Sequence, residues 1–377
     1  METIKQQILD KITSLKDDMI RDILEVVRVD SVESEAKEGM PFGEGVAAAL
    51  DTALAIAQRL GFTTHNLDGY MGWAQYGEGD DYIGIIGHLD VVPVGVGWNQ
   101  PPFSGYVDEH GRIFSRGILD NKGPIMSCLY ALYAVKEIGV HLKKPVRILF
   151  GTDEETGFCD LTYYLEHEKP PVMGFTPDCK YPVVYGERGR AILNIHANIK
   201  EQSTEITKEF FTCINTYFLG ASDNGDLLGI DFSDEEFGLM VMRGYQLSNK
   251  EDELTFRFSL SYPASCTLSQ IMDTIKLKLS SHVSLSLVHN YDPVRFDKDC
   301  FLVKSLQEAY EEVTGKDGTP VTTTGGTYAK GMPNIVPFGP SFPGQKGIGH
   351  NPNEWMDIDD LMSNAKIYAL SIYKLAT

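Results

Sequence analysis

Apolar positions along the chain follow two alternating patterns, which predict helices and strands in turn. Near the N-terminus, isoleucines recur every four residues from Ile4 to Ile12 among charged residues, as on one face of a helix. The runs 82–87 and 146–150 are short and apolar, as in buried strands, and segment 125–138 between them has a helical composition. Strands that alternate with helices predict an α/β sheet, and we interpret this part as a doubly wound layer.

A different pattern begins near Gly189 and ends near Pro293. Its order of predicted elements, β-α-β-β-α-β, is typical of a ferredoxin-like sandwich. The chain of 377 residues is also longer than one ordinary core supports, since single cores stop growing near about 250–300 residues. We therefore predict an inserted ferredoxin-like α+β domain, 189–292, within a discontinuous α/β domain, 1–188 and 293–377. The predicted elements of the insertion are strand 191–199, helix 207–219, strands 239–246 and 254–262, helix 268–279 and strand 283–289.

The charge balance is strongly acidic. Asp and Glu number 53 against 33 Lys and Arg, which gives a formal net charge of -20. Such a surface repels a phosphate backbone or an anionic membrane, so we expect neither a nucleic acid nor a membrane as a partner. No apolar run approaches the roughly 20 residues that span a bilayer. The sequence therefore excludes an integral membrane protein.

Cysteine usage and the N-terminal composition predict a cytoplasmic protein. The six cysteines are scattered, without a C-x-x-C pair or a small disulfide framework, and we interpret them as reduced and mostly buried. The N-terminal segment has charged residues among its apolar ones and lacks the pattern of a signal peptide. Both features favour the cytoplasm.

The first candidate for chemistry is a histidine at the end of a predicted strand. His88 and Asp90 lie two residues apart after the strand 82–87, so on an extended backbone they project to the same side. A metal-binding imidazole usually has its second nitrogen held by a carboxylate or a carbonyl, and Asp90 is well placed to be that partner. For this pair alone, a strand-end histidine in a turn is the better interpretation.

Two further candidates carry carboxylates. Asp120 lies in a polar, glycine-flanked turn before the predicted helix 125–138, where a helix N-cap is the simpler interpretation. Asp153, Glu154 and Glu155 follow the second predicted strand directly. Like charges so crowded repel one another unless cations intervene. A solvated loop is the alternative, but ligands in open α/β sheets bind at these strand ends, which favours a site.

Asp178 and His350 complete the set of candidates. Asp178 follows a short predicted strand, 172–175, and His350 lies in a loop before the last predicted helix. Each is a weak candidate alone, because a loop histidine is more often solvated than bound to a metal. Together with the residues above, they supply two imidazoles and several carboxylates. That set suits Zn²⁺ or Mn²⁺ better than the all-oxygen sites that Ca²⁺ prefers.

Five strings in the chain resemble, in their order, the motifs of the M20 family of metallopeptidases: GHLDVVP, RGILDNKGP, GTDEETG, TPD and GHNPNE. Within that family the chain is most similar to the bacterial, carnosinase-like dipeptidases of the PepV type. The resemblance covers nearly the whole chain and implies a catalytic α/β domain with an inserted lid that can also serve dimerisation. It further implies two divalent metal ions, with Zn²⁺ expected and Mn²⁺ or Co²⁺ as alternatives.

The resemblance implies a role for each candidate ligand. Asp120 would bridge the two ions. His88 and Asp178 would complete the first metal site, and Glu155 and His350 would complete the second.

The resemblance also implies catalytic and substrate-binding residues. Glu154 would be the general base, which takes a proton from water and delivers it to the departing amine. Asp90 would be the catalytic residue that orients the neighbouring imidazole. Gly325, Gly326 and Thr327 resemble the family loop that receives the substrate's carboxylate, and glycines let backbone N–H groups approach an anion closely. An ordinary glycine turn is the alternative for that segment.

Two residues of the family are missing. The lid normally contributes an oxyanion-stabilising histidine, and the corresponding stretch here has only His196, whose mid-strand position indicates a structural histidine. Ser261 stands where PepV-type dipeptidases carry an arginine. The chain is also shorter than those enzymes, with one lid half instead of two. Loss of one oxyanion donor typically costs about 10²–10³ in rate, so we expect slow turnover on ordinary dipeptides.

We therefore predict a two-metal hydrolase that cleaves the amide bond of dipeptides or similar small amino-acid amides. One alternative is an N-acyl-amino-acid deacylase with the same metals and a different pocket. Another is a non-catalytic metal-binding homologue, which the missing lid histidine favours and the intact Glu154 opposes. We also expect a homodimer through the lid, since a single ferredoxin-like lid leaves sheet edges exposed.

Overall fold

The structure is a computed structural model that describes residues 3–200 and 204–377. The chain forms two compact units. The first unit comprises Met1–Tyr185, Asp297–Val321 and Thr327–Thr377, and the second comprises Gly186–Phe296 and Thr322–Gly326. The predicted domain ranges also include residues 1–2 and 201–203, which lie outside the described residues.

The regular elements are numbered here along the chain. The helices are α1 (Ile4–Ser14), α2 (Lys16–Val27), α3 (Glu44–Arg59), α4 (Lys122–Glu137), α5 (Cys159–His167), α6 (Thr204–Ile214), α7 (Leu268–Lys276), α8 (Phe301–Thr314) and α9 (Ile358–Ala376). The strands are β1 (Thr63–Leu67), β2 (Met71–Tyr76), β3 (Ile83–His88), β4 (Tyr106–Val107), β5 (Arg112–Phe114), β6 (Val146–Gly151), β7 (Met173–Thr176), β8 (Cys179–Lys180), β9 (Val184–Glu187), β10 (Gly189–Asn198), β11 (Ser233–Asp234), β12 (Gly238–Leu239), β13 (Val241–Lys250), β14 (Glu253–Tyr262), β15 (Ser284–Tyr291), β16 (Val294–Arg295), β17 (Val321–Thr323), β18 (Ile335–Pro337), β19 (Pro340–Ser341) and β20 (Trp355–Asp357).

The first unit is built on a six-stranded sheet with the order β1-β2-β6-β3-β7-β18. The strands β6, β3, β7 and β18 run parallel, whereas β2 is antiparallel to both of its neighbours. The predicted strands 82–87 and 146–150 are confirmed as β3 and β6, and their register pairs His88 with Gly151. Because β6, β3 and β7 are parallel neighbours, the residues that follow them lie along one edge of the sheet.

Helices cover both faces of this sheet, as the doubly wound prediction requires. On one face, a Cβ atom placed on Gly87 of β3 would lie 3.0 Å from Ile125 of α4. On the other face, the hydroxyl of Tyr82 lies 2.7 Å from that of Tyr164 in α5. Helix α4 is buried over most of its length and packs against α9, as expected for a helix that is apolar on all sides.

The second unit contains the predicted β-α-β-β-α-β order. Its elements are β10, α6, β13, β14, α7 and β15, and its four-stranded antiparallel sheet has the order β13-β14-β10-β15. That strand order is the ferredoxin-like arrangement. The predicted helix 207–219 ends earlier, at Ile214, and continues as a π-helical turn, Asn215–Leu219.

One face of the second unit's sheet is apolar and packs against its helices. Alternate residues of β10, such as Leu193 and Ile195, are buried together with Phe258 of β14. Phe210 of α6 and Ile271 of α7 cover them. Buried and partly exposed positions alternate along β10, and this two-residue alternation is the pattern by which a strand can be predicted from sequence.

The second unit covers a longer part of the chain than the predicted insertion. The predicted insertion 189–292 lies within Gly186–Phe296, and the segment Thr322–Gly326 also groups with the second unit.

In the part of the chain that the structure describes, no helix is both long and apolar enough to cross a lipid bilayer.

Candidate metal centre

The candidate ligands of the first unit follow three neighbouring parallel strands. His88 ends β3, Glu154 and Glu155 follow β6, and Asp178 follows β7. His350 lies in the loop between β19 and β20. The carboxyl edge of a parallel sheet is where open α/β folds bind their ligands, and the structure brings the candidates together there.

Asp120 lies between the two imidazoles. Its Oδ1 atom is 3.0 Å from Nε2 of His88, and its Oδ2 atom is 3.0 Å from Nε2 of His350. The N-cap position of α4 belongs to Asn121, so the simpler interpretation of Asp120 as an N-cap is wrong. A carboxylate that presents one oxygen to each of two histidines has the geometry of a bridging ligand.

The remaining carboxylates lie around these three residues. Oδ2 of Asp178 is 3.7 Å from Nε2 of His88, and Oε1 of Glu155 is 2.9 Å from Nε2 of His350. Two groups of three have ligand atoms that all lie within 4.8 Å of one another: His88 with Asp120 and Glu155, and His88 with Glu154 and Asp178. All six candidates therefore belong to one cluster.

The electrostatics of this cluster fit a divalent cation site. Burial, and then the charge of Asp178, raise the pKa of Glu154 well above its usual value. Burial and the charge of Asp120 act in the same direction on the pKa of Asp178. Hydrogen bonds with Asp120 and Glu155 raise the pKa of His350 to about 11. Carboxylates that repel one another in a buried place are the expected surroundings of a cation, which would offset the repulsion.

Asp90 touches both the first histidine and the loop of glutamates. Nδ1 of His88 lies 2.9 Å from the backbone oxygen of Asp90 and 3.4 Å from its Oδ1 atom. The other carboxylate oxygen accepts a hydrogen bond from the backbone N–H of Glu155 at 3.0 Å. Both the carbonyl and the carboxylate of Asp90 therefore lie near the ring, with the carbonyl nearer, and the orienting role of Asp90 stays a prediction. This arrangement leaves Nε2 of His88 for a metal.

The three successive carboxylates after β6 have different surroundings. Oδ2 of Asp153 accepts a hydrogen bond from the backbone N–H of Cys159, the first residue of α5, at 2.8 Å, and its Oδ1 atom contacts the hydroxyl of Thr156. It thus satisfies one of the N–H groups that a helix start leaves unpaired. Glu154 instead joins the cluster. The structure thereby separates a helix-capping residue from a residue that faces the candidate metal centre.

Asp160 anchors the loop that carries these carboxylates, and the sequence did not single it out. The buried Oδ2 atom of Asp160 accepts hydrogen bonds from the backbone N–H groups of Thr152 at 2.7 Å and Asp153 at 3.2 Å. It also accepts one from the hydroxyl of Tyr328. The Tyr328 ring in turn meets the imidazole of His88 edge-on, with ring centroids 6.4 Å apart. Tyr328 and Asp160 therefore hold the loop after β6 and the ring of His88.

We expect Tyr328→Phe to lower the free energy of unfolding by about 1–3 kcal/mol, because a fully buried carboxylate loses a hydrogen-bond donor. Chemical denaturation of the metal-free protein measures the change. Tyr163→Phe is the matched control, since its hydroxyl donates to Asp68 at 2.8 Å in an exposed position and water can replace it. Equal losses in the two variants would contradict the anchoring role of Tyr328.

Asn121 is a second residue that the sequence interpretation missed. Its side-chain nitrogen donates to the backbone oxygen of Pro177 at 2.6 Å and lies 3.4 Å from Oδ1 of Asp178. Its side-chain oxygen accepts from the backbone N–H of His88 at 3.4 Å. This fully buried amide therefore joins the strand end of one candidate ligand to the loop of another. Only its place directly after Asp120 could have indicated it.

The predicted substrate loop is divided between the units. Gly325 and Gly326 are exposed in the second unit. Thr327 is buried in the first unit, where its hydroxyl accepts a hydrogen bond from the backbone N–H of Ala329 at 3.1 Å. The role of these three residues in binding a substrate carboxylate stays a prediction.

His196, in the second unit, is held by side chains of its own sheet. Its Nε2 atom lies 2.5 Å from the hydroxyl of Ser286, and its Nδ1 atom lies 2.5 Å from Oε1 of Glu253. These contacts support the interpretation of His196 as a structural histidine. Ser261 of β14 is buried and pairs with Arg190 of β10.

Comparisons with known proteins agree with the family suggested by the motifs. Residues 84–374 match the profile of the family described as "Peptidase family M20/M25/M40". The Bacillus subtilis (strain 168) protein named "Putative dipeptidase YtjP" is 32% identical over 456 residues, which covers 96% of this chain and 98% of that protein. The "Beta-Ala-Xaa dipeptidase" of Lactobacillus delbrueckii subsp. lactis is 29% identical over 455 residues, and 96% of each chain is covered.

Solved structures show the same fold at low sequence identity. Human carnosine dipeptidase 1 has a TM-score of 0.75 at 15% identity, with 99% of each chain covered. The Bacillus subtilis YXEP protein, described as a dinuclear metal-binding peptidase from the M20 family, has a TM-score of 0.65 at 12% identity and covers 97% of this chain and 100% of its own.

Proposed function

Since the chain belongs to peptidase family M20/M25/M40, we propose that it is a two-metal hydrolase that cleaves the amide bond of dipeptides. The observation that carries this proposal is the position of Asp120, with one oxygen 3.0 Å from each of two imidazole nitrogens. Such a carboxylate can bridge two cations. The relatives whose names describe dipeptidases support the class of substrate.

The cluster supplies a ligand set for two ions. His88, Asp178 and one oxygen of Asp120 would hold the first ion, and Glu155, His350 and the other oxygen would hold the second. Two divalent ions, when bound, lower the pKa of a water and polarise the scissile carbonyl. Imidazole and carboxylate ligands suit Zn²⁺, with Mn²⁺ or Co²⁺ as alternatives.

Glu154 is the proposed proton carrier. Its carboxylate lies with His88 and Asp178 in the cluster, whereas that of Asp153 is occupied at the start of α5. Burial raises the pKa of Glu154 well above its usual value, the direction in which a carboxylate becomes a better acceptor for the proton of water. In the proposed reaction Glu154 accepts the proton of the attacking water and gives it to the amine that leaves.

The proposal includes a cytoplasmic location and a homodimer through the second unit. All six cysteines are free thiols in the described structure, which fits a reducing compartment. The outer strands of the second unit's sheet are β13 and β15, and they expose Leu247, Leu287 and Val288. Exposed sheet edges of this kind are commonly covered by a second copy of the chain.

The test of the proposed function is hydrolysis of a matched panel by protein reconstituted with Zn²⁺, Mn²⁺ or Co²⁺. The panel pairs each dipeptide with the N-acetyl derivative of its C-terminal amino acid. We expect metal-dependent release of amino acids from the dipeptides, at rates reduced by the missing lid histidine. A preference for the N-acetyl compounds would instead identify a deacylase. Metal binding without hydrolysis of any compound would contradict an enzymatic role.

A further inference from the structure

Glu354 is a buried carboxylate that lies outside the candidate ligand set. It is 1% exposed and belongs to the same loop as His350, four residues further along the chain. Its Oε2 atom accepts a hydrogen bond from the guanidinium of Arg116 at 2.6 Å, and Arg116 is also 1% exposed. Buried charges are retained when they are paired and hydrogen-bonded, as both of these are.

The other oxygen of Glu354 binds backbone. Its Oε1 atom accepts from the N–H groups of Gly117 at 3.0 Å, Leu119 at 3.0 Å and Asp120 at 3.2 Å. Three donors converge on one oxygen, so a single side chain fixes the path of the turn that ends at Asp120. The carboxylate can move away from this turn only by giving up three hydrogen bonds at once, which makes the contact a firm constraint.

Arg116 connects the turn that ends at Asp120 with the loop that carries His350. Its Nη1 atom lies 3.4 Å from the backbone oxygen of Asn351, the residue after His350. The loop of the second histidine and the loop of the central carboxylate are therefore joined through one ion pair. Neither Glu354 nor Arg116 belongs to the groups whose atoms converge as candidate ligands.

We propose that Glu354 is a positioning residue for the metal centre. By accepting the three N–H groups it sets where Asp120 presents its two oxygens, and so it controls the affinity for both ions without touching either. This inference rests on the proposed function, because it assumes that Asp120 holds cations. Outer partners of metal ligands typically change metal affinity by 10–100-fold when they are replaced.

Removing Glu354 alone would not test this, because it would leave the buried guanidinium of Arg116 without its carboxylate partner and could unfold the protein. The test therefore uses two double variants that both remove the ion pair. Arg116→Met with Glu354→Gln keeps an amide oxygen for the N–H groups. Arg116→Met with Glu354→Met has nearly the same volume and no oxygen. The two variants differ in whether the side chain at position 354 offers an oxygen to the three N–H groups.

The measurement is titration with Co²⁺, whose visible absorption reports coordination, together with thermal unfolding of each metal-free variant. We expect the Met variant to bind Co²⁺ about 10–100-fold more weakly than the Gln variant. The change should affect both equivalents of the ion, because Asp120 contacts both positions. Equal affinities in two folded variants would overturn the inference.

Glu354→Asp keeps the test decisive if a double variant fails to fold. Aspartate keeps the charge for Arg116 but is one methylene shorter, so it cannot reach the guanidinium and the three N–H groups together. We expect weaker Co²⁺ binding in this variant, and wild-type affinity would overturn the inference. If the wild-type chain itself binds no Co²⁺, the proposed function fails. If it binds two equivalents and hydrolyses dipeptides while the double variants match, only the role of Glu354 fails.

Discussion

Glu154→Gln is expected to lower turnover by about 10²–10⁴-fold, the usual contribution of a general base, while the ions stay bound. Glutamine has the shape of glutamate but cannot take a proton from water. The neighbouring residues Asp178 and His88, which are proposed as ligands, are unchanged in this variant. Steady-state kinetics on the best dipeptide and metal analysis of the same sample measure the two effects separately.

The two flanking carboxylates provide the controls for this prediction. Asp153→Asn should leave turnover within a few-fold of wild type, because its carboxylate contacts the start of α5 and lies apart from the reacting groups. Glu155→Gln should first lose metal affinity, since Oε1 of Glu155 lies 2.9 Å from Nε2 of His350. Wild-type turnover in Glu154→Gln, or a larger loss in Asp153→Asn, would assign the base to another residue.

The residues of the cluster were predictable because the fold brings strand ends together. A buried apolar run that leads directly into His88, or one that is followed by Glu154 and Glu155, can be read as a strand with polar residues at its carboxyl end. Parallel strands place those ends along one edge, so residues far apart in sequence meet. The position of His350 depended on the resemblance of its motif, because its loop has no periodic signal.

The supporting residues were not predictable in the same way. Glu354, Asn121 and Asp160 act through backbone groups of loops, and their partners lie up to 237 positions away in the sequence. Neither the spacing of residues nor the hydrophobic periodicity of the sequence indicates such a contact. In the run of Asp153, Glu154 and Glu155, charge alone does not distinguish the three residues, and the contact of Asp153 with the start of α5 is visible only in the structure.

The hairpin at the edge of the central sheet was missed although the sequence carries a signal for it. Asp68 and Gly69 lie between β1 and β2 and have φ angles of 52° and 77°. The N–H of Tyr70 donates to the backbone oxygen of Leu67 at 2.9 Å, which closes a tight turn. An Asp-Gly pair is a strong local hairpin signal, because glycine adopts positive φ without strain. The flanking residues lack a clear alternation, since β1 is largely exposed.

Asp120→Asn is expected to have the largest effect of any single replacement in the candidate metal centre. Asparagine has the same shape but only one oxygen, so it can serve one ion and cannot bridge two. Bound metal should fall from about two ions per chain to one or fewer. Metal ions contribute several kcal/mol to transition-state stabilisation, so we expect kcat/KM to fall by about 10³-fold or more.

The response of the melting temperature to metal distinguishes a loss of metal binding in Asp120→Asn from a loss of folding. An ion that binds only the native state raises its stability by about 2.7 kcal/mol at a hundred times its dissociation constant. The wild-type chain should therefore melt at a higher temperature in the presence of Zn²⁺, and the variant should lose most of that increase while its metal-free melting temperature stays close to wild type. Asp51→Asn, on an exposed position of α3, is the control and should change neither quantity. If Asp120→Asn still binds two ions and keeps its activity, the bridge between the two imidazoles is not the basis of catalysis, because the one geometric feature unique to Asp120 would then be dispensable.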